Sequence, residues 1–135
     1  MKASLVFSIA NTFVLIGWIL LIFAPKWERT QHGVLYGVVL ILSLTYAMLI
    51  APTLANFSPD AFSTLANVKA LFQQDQALAA GWVHYLAFDL FVGAYIVREG
   101  LSLSIPRWQY TLCLPFTFMF GPIGLLLFFL FKAIK

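Results

Sequence analysis

The feature that most constrains this chain is an uncharged apolar run from Ala3 to Ala24, which ends at Pro25. A helix needs about 20 apolar residues to cross a bilayer core of about 30 Å. Three further runs are similarly long, at 33–51, 77–97 and 110–131. Because backbone polar groups find no water in hydrocarbon, each run must be helical. The sequence therefore predicts one all-α domain over residues 1–135, an integral membrane four-helix bundle.

Composition agrees with a protein whose solvent is lipid. Of the 135 residues, 62% are hydrophobic and 10% are charged, whereas a soluble domain carries about 25% charged residues. Too few charges remain to cover a surface that faces water, which excludes an ordinary soluble enzyme, a disordered tail and a nucleic-acid binder. The single cysteine, Cys113, excludes an intramolecular disulfide and a Cys-x-x-Cys redox pair. The lipid bilayer is the expected partner.

The longest connection lies between the second and third runs and has its own pattern. Ser-Pro-Asp at 58–60 is typical of a helix start, and Phe62, Leu65 and Phe72 then recur at helical spacing. This pattern predicts a short amphipathic helix at the membrane interface, over about 59–73. Two roles remain open for it: a connector that rests on the headgroups, or a lid over a cavity that faces lipid.

Four spans would place both termini on one side of the membrane, and the basic residues would then divide equally. The positive-inside rule consequently does not choose an orientation. The terminal side would hold Lys2, Lys69, Lys132 and Lys135, and the other side Lys26, Arg29, Arg98 and Arg107.

Only two residues of the Asp, Glu, His, Lys and Arg types lie within the predicted spans, His84 and Asp89 in the third. Such residues are costly at this depth and are candidates for function. Five residues separate them by about 7.5 Å along a helix and about 140° around it, so they do not share a face. Without charged partners both are expected to be uncharged at neutral pH, giving one proton acceptor and one donor for acid–base chemistry. The alternative is structural, since both can hold helices together by hydrogen bonds.

The other spans carry small and polar residues that suit close helix packing. Pro122 is expected to kink the last helix. No metal site is predicted, because the His and Asp residues lack the spacing that builds one on a helix. The packing candidates are Ser4, Ser8 and Asn11 in the first span, Tyr36, Ser43 and Tyr46 in the second, and Cys113, Thr117, Gly121 and Gly124 in the fourth.

Strings along most of the chain resemble the plant abscisic-acid-deficiency membrane proteins linked to neoxanthin formation, and their bacterial relatives. The most specific is Trp-x-His followed by Asp-Leu-Phe, from Trp82 to Phe91. One departure is Ala94, where plant members have an arginine; Arg98 follows one turn later. The other matching residues are Phe72 to Asp75, Gly100, Ala24-Pro25 with Thr30, Cys113-Leu114 and Pro122 to Gly124.

The resemblance implies a multi-pass protein of a bacterial cytoplasmic or plastid-type membrane that handles a carotenoid-like isoprenoid. In plant members a 5,6-epoxide opens while a neighbouring C–H is lost, a redox-neutral isomerisation that needs no cofactor. His84 would serve as base, and Asp89 or Asp75 as acid. The ligand-binding candidates are Trp82, Tyr85, Phe72, Asn11 and Thr117.

The residues leave three functions open. The first is a carotenoid-binding protein that isomerises an epoxycarotenoid. The second is a non-catalytic carotenoid-binding subunit of another membrane enzyme, and the third is a small-solute or proton pathway through Asp89. The substrate, the orientation, and assembly as a homo-oligomer or with a partner enzyme are left undecided by the residues.

Overall fold

A computed structural model describes residues 2–55 and 58–134, and every regular element in these ranges is helical. The all-α prediction is thereby confirmed. Three of the helices are long and apolar enough to cross a membrane, namely Ala3–Phe23, Glu28–Leu54 and Asp75–Ser102. In chain order the elements are α1 (Ala3–Phe23), α2 (Glu28–Leu54), a 3₁₀ turn (Pro59–Phe62), α3 (Leu65–Phe72), α4 (Asp75–Ser102), α5 (Arg107–Phe120) and α6 (Pro122–Ala133).

Helix α2 is longer than the predicted second span at both ends. It begins at Glu28, close behind Pro25, because the hydroxyl of Thr30 donates a 2.6 Å hydrogen bond to the carbonyl of Ala24 and closes the turn after α1. Its segment Gly33–Val39 is a π-helix. The helix passes through Pro52 and ends two residues later, so this proline interrupts only its last turn.

Helix α4 is the centre of the molecule. It packs against α1, α2 and α5, and 56% of its most apolar stretch is buried, compared with 33% for α1 and 22% for α2. Large apolar side chains on α1 and α2, such as Ile9, Phe23 and Leu44, remain more than half exposed. These outward faces suit contact with lipid, and α4 is the helix they enclose.

The segment predicted as a single fourth span, 110–131, is instead a helical hairpin. Gly121 ends α5 with φ +34°, a conformation that favours glycine, and Pro122 starts α6, where its missing N–H costs nothing. Gly124 then lies against Thr117, so close that a Cβ at position 124 would overlap its atoms. The glycines allow the chain to reverse where proline alone was expected to produce a kink.

The far ends of the hairpin meet beside the end of α4. The ammonium group of Lys132 donates a 3.0 Å hydrogen bond to Glu99 Oε2, and this bond raises the pKa of Lys132, which lies at the surface. The rings of Trp108 and Phe131 pack edge to face with centroids 5.7 Å apart. Helix α6 therefore runs back along α5 and ends at the level where α5 began.

The predicted helix over about 59–73 is divided into two pieces. Thr64 has an extended backbone and its hydroxyl accepts a 3.1 Å hydrogen bond from the N–H of Asn67, which caps α3. The 3₁₀ turn precedes this cap, and it starts after Ser58 with Pro59 in first position. The division follows from the second capping residue at 64, and the placement of this segment at the membrane interface stays a prediction.

Candidate functional site

A pocket of about 920 Å³ lies between the last turns of α2, the 3₁₀ turn with α3, and the first turns of α4. We call it the His84 pocket. Its walls are mostly apolar, as is usual for sites that bind small hydrophobic molecules, and six of its fifteen lining residues have polar side chains. Its lining includes Tyr46, Ile50, Ala61, Phe72, Gly81 and His84.

The imidazole of His84 lies at the edge of this pocket, next to two aromatic rings. It stacks on Phe88 with centroids 4.7 Å apart, and the ring of Tyr46 lies 5.5 Å away on α2. His84 is nine residues from the start of α4, which places it about 14 Å along the helix. The pocket therefore extends from the end of the bundle to the level of His84, whose side chain is itself exposed, with the half-buried Tyr46 beside it.

Contacts of α3 and α2 with the first turns of α4 shape the pocket near the end of the bundle. Phe72 lies over Gly81, where a Cβ would come within 2.5 Å of its ring. The side-chain amide of Gln76 donates a 3.1 Å hydrogen bond to the carbonyl of Leu49, joining the start of α4 to α2. An apolar pocket is retained here because a glycine makes room for the aromatic ring of α3.

Asp89 lies on the other side of α4, against the tip of the hairpin. Its side chain is 8% exposed, and its Oδ1 would lie 2.5 Å from a Cβ at Gly121. Among the described residues its Oδ2 has no hydrogen-bond partner. One turn earlier, the hydroxyl of Tyr85 is 3.0 Å from the carbonyl oxygens of both Phe118 and Met119 and donates to them. Tyr85 thus ties the tip of the hairpin to the middle of α4, and Asp89 packs against that tip.

Trp82 and Asn11 contact each other directly. The indole N–H of Trp82 donates a 2.9 Å hydrogen bond to Asn11 Oδ1. Phe7 and Tyr85 each place a ring centroid 5.3 Å from the indole. The two predicted ligand-binding residues thus link α1 to α4 through one polar bond inside an aromatic cluster.

Asp75 and Thr117 lie apart from these groups. Asp75 is the first residue of α4 and is exposed, about 14 Å along the helix from His84 and about 21 Å from Asp89. Thr117 is fully buried inside the hairpin and donates a 2.9 Å hydrogen bond to the carbonyl of Cys113. The structure does not bring the three predicted catalytic side chains together, and their catalytic roles stay a prediction.

The eight predicted site residues therefore divide by location. Phe72 and His84 line the pocket; Tyr85 and Asp89 hold the hairpin tip. From the sequence, Tyr46 was predicted only to pack between helices, although a hydroxyl within the second span could have indicated a role in binding. Ile50 also lines the pocket, but nothing in the sequence distinguishes it from other apolar residues of that span. Among residues 2–55 and 58–134, no three His, Cys, Asp or Glu side chains form a cluster that could hold a metal ion.

Comparison with known proteins gives a family and one curated relative. Residues 5–128 match the family model described as ABA DEFICIENT 4-like. The chain is 31% identical over 144 aligned residues to "Protein ABA DEFICIENT 4, chloroplastic" of Arabidopsis thaliana. The alignment covers 98% of this chain but 62% of the relative, so the chain spans less than two thirds of the relative's length. No solved structure matches the chain.

Proposed function

Because the chain belongs to the ABA DEFICIENT 4-like family, we propose that it is a membrane protein which binds a carotenoid-like isoprenoid, with one end of the ligand in the His84 pocket. The observation that carries this proposal is the pocket itself. It combines about 920 Å³ of mostly apolar space with an exposed histidine and a half-buried tyrosine in its lining. The neoxanthin link implied by the sequence resemblance supplies the ligand class.

The depth of the pocket limits how much of such a ligand it can hold. A length of about 14 Å along α4 is roughly half of a bilayer core of about 30 Å. A long polyene would therefore insert one end group, and the rest of its chain would remain against the exposed apolar side chains or in lipid. An end group that carries a hydroxyl or an epoxide would find hydrogen-bonding partners in His84 and Tyr46.

Binding is tested by the colour of the purified protein. The chain is expressed in carotenoid-producing bacteria, purified in detergent and delipidated, and we expect polyene absorption bands to remain with it. Ile50→Trp fills the pocket from α2 and should remove the bands. Leu40→Trp adds the same side chain to the exposed outer side of α2 and should retain them. A colourless wild-type protein, or equal loss in both variants, contradicts binding in this pocket.

Isomerisation of a bound epoxide is a second candidate, favoured by the presence of His84 and Tyr46 in one pocket. His84 would remove a C–H proton beside the epoxide carbon. The electron pair would form the new double bond as the C–O bond breaks, and Tyr46 would protonate the oxygen. The product is an isomer of the substrate, so electrons and atoms balance without an added reactant.

Conversion is measured in liposomes that contain an epoxycarotenoid. Loss of a general acid or base lowers rates by about 100-fold or more, which is the effect expected for His84→Gln and for Tyr46→Phe. The matched controls are His32→Gln and Tyr36→Phe, at exposed positions away from the pocket. Wild-type binding without any product would favour the alternative, a non-catalytic carotenoid-binding partner of another enzyme.

A further inference from the structure

Helices α5 and α6 are each too short to cross a bilayer. Their 14 and 12 residues give lengths of about 21 Å and 18 Å, compared with a hydrocarbon core of about 30 Å. Their tip, Gly121, lies against Asp89, which is about 20 Å from the end of α4 at Ser102. The hairpin thus reaches the middle of the bundle and goes no farther.

The start and the end of the hairpin lie at the same end of the bundle. Arg107, at the start of α5, donates a 3.0 Å hydrogen bond to the carbonyl of Ile22 at the end of α1. Lys132, at the end of α6, pairs with Glu99 in the last turn of α4. A chain that enters and leaves on one face is re-entrant. Irregular backbone at membrane depth is tolerated when it is buried in protein, as Gly121 is here.

This arrangement redistributes the basic residues. With three crossings, the face that holds the start of α1, the end of α2 and the start of α4 carries Lys2 and Lys69. The opposite face, which we call the basic face, carries the remaining described cations. They are Lys26, Arg29, Arg98, Arg107 and Lys132. Four crossings would have divided the cations equally, whereas the hairpin returns Lys132 to the basic face.

We infer that the chain crosses the membrane three times with its basic face in the cytoplasm, and that the His84 pocket therefore opens to the opposite leaflet, from which it takes its isoprenoid. The positive-inside rule assigns the face with five described cations to the cytoplasm. The pocket lies at the other end, between the end of α2 and the start of α4. The choice of leaflet rests on the proposed function; the three crossings and their orientation do not.

Thiol labelling tests the crossings and the orientation without any ligand. Cys113→Ala removes the single native thiol, and single cysteines are then placed at three exposed positions, Ala66 in α3, Ser102 at the end of α4 and Ile134 after α6. Each variant is produced in bacteria and treated with a membrane-impermeant maleimide before and after permeabilisation. We expect A66C to react in intact cells, and S102C and I134C to react only after permeabilisation.

Any other pattern of labelling shows which part of the inferred topology is wrong. Reaction of I134C together with A66C, and not with S102C, would overturn the re-entrant hairpin. Reaction of S102C and I134C in intact cells, with A66C protected, would overturn the orientation. A66C and S102C reacting on the same side would overturn the crossing of α4.

A protection experiment then tests the leaflet from which the pocket is filled. Ala61 lines the pocket, whereas Ala66 is outside it. Bound polyene should slow the labelling of A61C in intact cells several-fold and leave A66C unchanged. If the labelling pattern is as expected but polyene protects neither cysteine, the orientation stands and the ligand proposal fails. If purified protein is coloured but A61C reacts only after permeabilisation, binding stands and the leaflet assignment fails.

Discussion

The carboxylate of Asp89 lies against Gly121, so closely that a Cβ on the glycine would come within 2.5 Å of Oδ1. Gly121 also precedes the N-terminus of α6, where the helix dipole favours negative charge. A buried acid in α4 and a reversal of the chain therefore meet at one point. Asp89 is thus part of the packing of the hairpin tip, in addition to any role in chemistry.

Gly121→Ala should destabilise the protein, since the new Cβ would both meet Asp89 and force alanine into a left-handed conformation. Such conformations cost about 1–3 kcal/mol each, so thermal unfolding in detergent should shift to lower temperature. Gly37→Ala is the matched control, because nothing lies within 4 Å of a Cβ there. An equal melting temperature for Gly121→Ala and wild type would mean that this turn does not exist in solution.

Asp89→Asn and His84→Ala should have different effects on ligand binding because the two side chains lie on opposite sides of α4. Asp89 does not line the pocket, and asparagine keeps its size and one acceptor oxygen, so polyene content should match wild type. His84→Ala removes a hydrogen-bonding group from the pocket, which should weaken binding about tenfold at most. Absorption of the delipidated protein measures both. Loss of polyene in Asp89→Asn but not in His84→Ala would move the site to the hairpin tip.

The main helices and the depth of His84 and Asp89 could be predicted from sequence, since long apolar runs bounded by prolines and charges determine both. Their separation could also be predicted, because a regular helix turns 100° per residue. What could not be predicted is which neighbour covers each side of α4. Helical spacing gives directions around an axis but does not identify the element that packs there.

The hairpin could not be predicted from the sequence for a related reason. Gly121 and Pro122 indicate a break in a helix, but the angle across the break depends on a left-handed φ and on the packing of Gly124 against Thr117. Hydropathy does not reveal the reversal, since the apolar run 110–131 is long enough to cross the membrane as one span. The error then affected the charge count, because Lys132 was assigned to the wrong end of the bundle relative to Glu99.

The bond between Trp82 and Asn11 should be a structural link between α1 and α4. Hydrogen bonds between membrane helices contribute about 0.6 kcal/mol on average and up to about 1.7 kcal/mol. A double-mutant cycle of Trp82→Phe and Asn11→Ala, read from unfolding in detergent, should give a coupling energy in that range. Additive single effects would contradict the bond. A larger loss of polyene than of stability in Trp82→Phe would instead favour its predicted role as a ligand contact.

Glu99 and Lys132 should be close enough to be joined chemically if α6 runs back along α5. In the Cys113→Ala background, Glu99→Cys with Lys132→Cys places two thiols where Oε2 and Nζ now lie 3.0 Å apart. A short bifunctional thiol reagent should then add once and bridge both cysteines, which intact mass measurement distinguishes from two separate additions. The control pair is Ala66→Cys with Lys132→Cys, because Ala66 is in α3 at the pocket end of the bundle, and this pair should take up two reagents. If α5 and α6 instead formed one continuous span, position 132 would lie across the membrane from position 99. The first pair would then also take up two reagents.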